Sequence, residues 1–523
     1  MRFIKNIKCV ILFGILILNC ACSKNQKEEF MKSSLKIDFQ EGDLTTLHPH
    51  DLMIYLRGIS IGKVLFEGLT RIDSSGKPAL AGAKSVDVSP DGLRYQFQLR
   101  ENHWSDGTPV TAQQFELSFK EALDPKSPAP RPDLLYMIRH SVEVKKGEKA
   151  LSELGVRAPN DHTLIIELSR PSPHFLELLA QPVCAPLQNP RDRNMKHFNG
   201  PFMIDSWERN ARLSLKPNPH FWNKDKVGLP RIDIMMVQEP ETAMALYEQK
   251  QLDWIGVPLC PLSTEQIDHL KAKNEIISRP IERVFWVFLN TKHKALSIPA
   301  IRKALSLAIS RETISNSVFI GSNPLDKPLP LSLLPLQSHG LLKEDLEEAK
   351  HQLALGLKEL GITKEELPPL MIAYSQQANR KQLAEYLQEA WSSTLGIKIR
   401  LEPQEWNVLR TNLGNGRFEI SGAFEASFYH DPLEIMERMA HLNSSNFPQW
   451  TFPLYQQKIG EASHALDMDH RMHLLSEAED ILIEQMPFIP ITCDRFLFAH
   501  HPKLQGYTFD SVGAIDFSYA SMK

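Results

Sequence analysis

The chain has 523 residues, with 59 Lys+Arg against 63 Asp+Glu for a formal net charge of −4. Hydrophobic residues make up 42% and charged residues 23%, which excludes a disordered or collagen-like chain and leaves room for a large core. The balance carries no basic surplus of the kind phosphate contacts need, so nucleic acid is not an expected partner. At the N-terminus, Arg2, Lys5 and Lys8 precede an uninterrupted apolar run from Cys9 to Leu18. That run is too short for a bilayer core, which needs about 20 apolar residues. Basic, then apolar, then small is the order of a secretory signal, expected over 1–21.

Asn19-Cys20-Ala21-Cys22-Ser23 follows at once and resembles the lipobox of bacterial lipoproteins. Ala21-Cys22 fits the cleavage site, and Cys22 is the expected lipidation site, carrying palmitate or a related acyl chain; Asn19 departs from the motif's Leu. The polar residues 22–30 then read as a tether. Cleavage removes three basic residues and no acid, leaving a more acidic mature chain. Beyond Cys22 only Cys184, Cys260 and Cys493 remain, so one disulfide at most is available among them. Later apolar stretches are short or broken by Pro or charge, which predicts a body held at a membrane from one end.

Further along, Lys84–Leu99 alternates around Ser89-Pro90-Asp91-Gly92 and predicts a hairpin. Thr111 is a candidate N-cap for a helix to Ala122. Four Pro between 125 and 132 mark a loop; 162–168 reads as a strand and 173–179 as a short helix. Strands are predicted over 211–215, 231–237 and 252–256, with a helix over 239–249. From 290 to 490, helices over 299–309, 344–358, 380–395, 434–441 and 470–485 alternate with strands over 370–374, 397–402 and 419–423. That alternation predicts α/β units in an exported protein of two or three domains.

No constellation demands catalysis. Gly58-Ile-Ser60-Ile-Gly62 matches the nucleophile-elbow pattern, which makes a serine hydrolase using Ser60 the alternative of another class, but no clear strand precedes it. His464, His470 and His473 lack a metal-ligand spacing, and His48-Pro-His50 is too short to support a site. Without a Gly-rich phosphate loop, neither cofactor nor metal is expected. The eight Trp are scattered and read as core before pocket wall.

Several separated blocks carry a resemblance: LFEGL at 65–69, WSDGTPVTAQQF at 104–115, NGPF at 199–202 with Trp207, LKPNPHFWN at 215–223, Leu289-Asn290, PAIRKALSLAISR at 299–311, Asp431-Pro432 and PFIP at 487–490. In this order they resemble the oligopeptide- and dipeptide-binding lipoproteins of ABC importers, the OppA/DppA-like family 5 of extracellular solute-binding proteins. The resemblance spans nearly the whole mature chain. It implies an α/β periplasmic-binding-protein clamshell of the class II, cluster C type, with two α/β lobes plus an extra domain. The first lobe would take 31–65, 191–281 and 494–523, the extra domain 66–190, and the second lobe 282–493. The implied function is capture of oligopeptides in the interlobe cleft and delivery to the permease. A lipid-anchored monomer on the periplasmic side of the bacterial cell membrane is implied, with no enzyme activity. A small modified peptide or other zwitterionic solute is the alternative ligand.

The resemblance also implies a ligand site, and this chain departs from it. Aligning on Asp431-Pro432 puts Phe428, with Tyr429 beside it, where the family holds the peptide amine with an Asp; a benzyl ring offers only a cation–π contact. The family's two disulfide Cys fall at Arg283 and Ala426, a His toward the peptide's C-terminal end falls at Arg380, and the Arg near it falls at Gly422. Trp406 keeps a family aromatic. Two expectations stand side by side: Glu425 replaces the amine anchor while Arg283 or Arg380 meets a ligand carboxylate, or Glu425 and Arg283 pair with each other.

Overall fold

The computed structural model describes residues 34–40, 42–189, 192–335, 343–443 and 445–523. The leader, Cys22, the tether and the 190/191 boundary lie outside them.

Strand Leu35–Asp38 pairs parallel with Ile232–Met235, which continues antiparallel into Arg212–Pro217 and Phe202–Glu208. The segment between these strands builds a second, antiparallel sheet in the order Ala83–Val88, Arg94–Leu99, Thr163–Glu167, Val156–Asn160. Its first turn is the predicted hairpin: Asp91 accepts from the Leu93 amide at 3.0 Å, and Gly92 takes a φ of +68° that an L side chain resists. Helix Ala112–Leu123 starts after Thr111, whose amide donates to Gln114 Oε1 at 3.0 Å. Phe115 and Phe119 of that helix, Leu35 and Ile37 of the first sheet and Phe97 of the second belong to one continuous buried cluster.

Helix Leu56–Leu65 corrects the hydrolase alternative. Gly58 and Gly62 are packing positions, since a Cβ there would stand 2.5 Å from Leu52 O and 2.7 Å from Pro182 Cγ. Ser60 Oγ donates to Leu56 O at 2.8 Å and accepts from the Ile515 amide at 3.0 Å. The pattern lies inside a buried helix, not on a strand-to-helix elbow, and the hydroxyl is committed to backbone.

A larger mixed sheet runs in the order Trp254–Gly256, Phe488–His500, Ile277–Leu289, Ile420–Ala426, Leu370–Ser375, Ile399–Gln404, with Asn323–Pro324 against Phe488–His500. Helices cover both faces of its centre, where the strand segment Val284–Leu289 reads as an apolar run. Phe285, Val287 and Leu289 face one cluster with helices Pro299–Leu307, Leu346–Leu360 and Ala378–Leu395. Val284, Trp286 and Phe288 face the other, with helices Pro432–Met436, Pro453–His464 and Met468–Gln485. Strands Ile277–Leu289 and Phe488–His500 are 13 residues each. Their ladder runs from Ile277↔Phe498 to Pro280↔Arg495, breaks, and resumes at Val284↔Cys493. Cys184, Cys260 and Cys493 are buried and unpaired. Trp104, Trp254, Trp286, Trp391 and Trp450 are core residues.

Candidate functional site: the carboxyl edge of the large sheet

Strands Leu370–Ser375, Ile399–Gln404 and Ile420–Ala426 are parallel and end on one edge. Helix Ala378–Leu395 leaves the first of them and packs Leu383, Ala384 and Leu387 beside Leu370 and Ile372. Helix Trp406–Gly414 packs Leu409 and Leu413 against Ala373, on the opposite face. The chain therefore changes faces here, and a crevice outside the carboxyl ends at such a point is where open α/β sheets bind ligands. Arg380, Trp406, Phe428 and Tyr429 follow the three strand ends, Glu425 is the penultimate residue of the third, and Arg283 lies opposite Ala426. The topology thus gathers all six sequence candidates at one edge.

Strand pleat then divides them. Val284 stands opposite Glu425 and Phe285 opposite Phe424, so Arg283 and Glu425 occupy opposite faces of the sheet. The expectation that they pair is corrected. Arg283 Nε donates to Asp494 Oδ2 at 2.8 Å, its Nη2 reaches the same oxygen, and its guanidinium lies 4.1 Å from the Phe424 ring centre. On the same face the Arg380 guanidinium stands 4.5 Å from Phe285, 4.8 Å from Phe424 and 5.4 Å from Phe319. Its Nη1 is buried without a hydrogen-bond partner. Burial first, then Arg283, pulls Arg380 down to about 10, while Asp494 opposes the shift. Arg380 shares a small recess with Phe285, Tyr374 and Gly422. Gly422 bears no side chain where the ring of Phe285 sits, because a Cβ would stand 2.6 Å from Phe285 Cζ.

On the other face Glu425 Oε2 and Glu434 Oε1 both accept from Arg438, which also donates to Ala426 O at 3.0 Å. Burial raises the Glu425 carboxyl above its ordinary range, with Arg438 the main opposing influence. Sequence reasoning did not single out Glu434 or Arg438. Their signal is the spacing of four on one helical turn, which places acid and base side by side.

Phe428 and Tyr429 are each 8% exposed and belong to the cluster of the first two sheets, although they hang from the third. Arg131 covers the Phe428 ring at 4.1 Å and is itself held by both oxygens of Asp133. The protein's own guanidinium thus takes one cation–π contact that this ring offers. Gln181 Nε2 donates to Phe428 O at 3.4 Å, the His430 amide donates to Glu177 Oε2 at 3.0 Å, and His174 stacks on Tyr429 at 6.3 Å. Arg170 holds both oxygens of Glu437. Trp406 opens its helix 45% exposed.

His464, His470 and His473 are exposed. His48 and His50, by contrast, are fully buried beside the partly buried Glu121, the ligand atoms of the three within 4.8 Å of one another. Arg193 donates to His48 Nδ1 at 3.0 Å, and His50 contacts Glu121 at 2.6 Å and Ser118 at 2.9 Å. This is a hydrogen-bonded knot that ties residues 48–51 and Arg193 to helix Ala112–Leu123.

The profile described as "Bacterial extracellular solute-binding proteins, family 5 Middle" matches residues 77–447. The oligopeptide-binding protein OppA of Bacillus subtilis (strain 168) is 30% identical over 98% of both chains. The crystal structure of a periplasmic oligopeptide-binding protein from Borrelia burgdorferi is 26% identical, covers 93% of this chain and 99% of its own, and superposes with a TM-score of 0.78. The Escherichia coli murein tripeptide binding protein MppA, 24% identical, shares the fold with a TM-score of 0.80 over 94% of this chain and 98% of its own.

Proposed function

Since the chain belongs to the bacterial extracellular solute-binding proteins of family 5, we propose that it is the receptor of an ABC peptide importer, closing two lobes around an oligopeptide and presenting it to the permease. The observation that carries the site is the unpartnered Nη1 of Arg380 at the carboxyl edge. Arg283 is paired with Asp494 while Arg380 beside it has no ion pair among the described residues, so a ligand carboxylate would balance the charge. Glu425 serves the ligand's amine, and Trp406 and Tyr429 flank the path between them. The lobes divide where the long ladder breaks, at 281/282 and 493/494, with 66–190 as the extra domain. Cys22, exposed by removal of 1–21, carries the acyl anchor that holds a monomer outside the cytoplasmic membrane. Among the described residues no helix is long and apolar enough to cross a membrane.

The test uses tetrapeptide libraries of Ala, Ser, Leu and Phe, one with free C-termini and one amidated, offered together to the protein in native mass spectrometry. Peptide adducts are expected, with the free-acid library favoured at least tenfold and that preference lost in Arg380→Gln. Absence of adducts from both libraries would overturn peptide capture; equal uptake would overturn the role of Arg380.

A further inference from the structure

A group of carboxylates and imidazoles gathers at the break in the long ladder. Glu282 lies in that break, between Pro280↔Arg495 and Val284↔Cys493. Its Oε1 contacts His430 Nδ1 at 2.5 Å, and its Oε2 is buried without a hydrogen-bond partner. Glu177 comes from the opposite side, on helix Phe175–Leu178, which packs with the first two sheets. Its Oε2 accepts from the His430 amide at 3.0 Å, and Ser511, next to Val512 of the same buried cluster, donates to its Oε1. His174 stands 3.8 Å from Glu177 Oε2 and 3.9 Å from Asp431 Oδ2. Each histidine thus has one carboxylate from each side of the junction.

The charge balance rests on those two rings. Among the described residues no Lys or Arg forms an ion pair with Glu177 or Glu282. The surrounding groups are already settled: Arg471 bonds Asp431 at 2.6 Å, Lys63 holds Asp510, and Arg170 holds Glu437. Cys493, on the strand beside Glu282, stays a thiol, because burial first pushes it up to about 12. Tyr429, stacked on His174, stays a neutral phenol, again through burial first. The hydrogen bond to Glu282 raises His430 above its ordinary range against the pull of burial, and the charges of Glu282, Glu177 and Asp431 add to it. Burial pushes Glu177 up, but His174, Ser511 and the His430 amide hold it below its ordinary range. The His430 side chain is 53% exposed, so protons reach it from solvent.

Opening the junction would part His430 from Glu177 and His174 from Asp431, leaving each ring one carboxylate. The closed form therefore holds its protons more tightly than the open form, and falling pH favours closure. With both rings neutral, Glu177 and Glu282 are left beside His430 with no cation to offset them, and closure loses that support.

Resting on the two-lobe reading above, we propose that His430 and His174 form a proton-operated latch between the lobes, which tightens the cleft as pH falls from about 8 to about 6 and loosens it as pH rises.

Small-angle scattering of the ligand-free protein, extrapolated to zero concentration, reads the radius of gyration between those two pH values. The wild type is compared with His430→Gln and with the double variant His174→Gln/His430→Gln, each checked for folding by thermal unfolding. The expected result is a wild-type radius that shrinks toward the lower pH, with its midpoint above about pH 6.5 because His430 is raised. His430→Gln, at a half-exposed position, should lose at least half of that change, and the double variant all of it. A wild-type radius that stays constant or grows as pH falls, or a full change surviving in His430→Gln, would overturn the latch. No ligand is present, so either failure leaves peptide capture, read from adducts, as it stands.

Discussion

His48 is a buried imidazole with a cation as its partner. Burial first, then His50 and Arg193, lower it to about 3. An unfolded histidine titrates near about 6.5, so the folded state takes up this proton less readily than the unfolded state. Its contribution is therefore complete above about pH 6.5 and declines as pH falls toward 3. Glu121, also held below its ordinary range, adds loss in the carboxylate region. The thermal midpoint should drop between pH 7 and pH 4, and His48→Gln should flatten that slope; an unchanged slope would show that another group controls it. At this scale the sequence yields residue types but not partners. Arg283 and Glu425 stand out as charges in apolar surroundings, and Arg380 only through the resemblance. Whether Arg283 meets Glu425 depends on pleat parity, which is undefined until the register Val284↔Glu425 is known. Burial of Phe428 under Arg131 joins residues almost 300 positions apart and has no local signal.

A cap was legible where a long apolar periodicity followed it. Helix Leu346–Leu360 starts at Asp345, whose Oδ1 accepts from the Glu348 amide at 3.0 Å, and ends at Gly361 with a φ of +69°. Asp345→Ala should cost about 1 kcal/mol, read by chemical denaturation. The expected helix 434–441 is shorter, Pro432–Met436 followed by a turn of 3-10 helix. Helices Thr264–Ala272, Trp406–Gly414 and Pro453–His464 were missed. The long strand Ile277–Leu289 was also hidden, because its first half contains Pro280 and charged residues and is largely exposed. Tertiary pairing with Phe488–His500 overrides that composition. Buried Arg302 is similar: it donates to the carbonyls of Leu296, Ser297, Gln485 and Met486, supplying donors at a helix end that has none of its own.

For the molecule as a whole, the segment from Phe428 to Glu437 ties the third sheet to residues 131–181. Arg170–Glu437, Arg131–Phe428 and Gln181–Phe428 all join the same two bodies. These contacts favour a closed arrangement before any ligand contributes, so ligand binding adds to an existing bias. Arg170→Ala with Glu437→Ala should shift the population toward open forms, seen as a larger radius of gyration in small-angle scattering without ligand. An unchanged radius would place the bias elsewhere.

The 13-residue strand Phe488–His500 has a consequence for how the chain comes to be folded. It lies between Trp254–Gly256 and Ile277–Leu289, so the large sheet is missing an interior strand until the last part of the chain arrives. The residues after it, including Phe509 and Phe517, complete the buried cluster shared by the first two sheets. Synthesis proceeds from the N-terminus, and neither the large sheet nor this core can be completed from what emerges first. The large sheet and the core around Phe509 and Phe517 therefore close only once the C-terminal strand is in place.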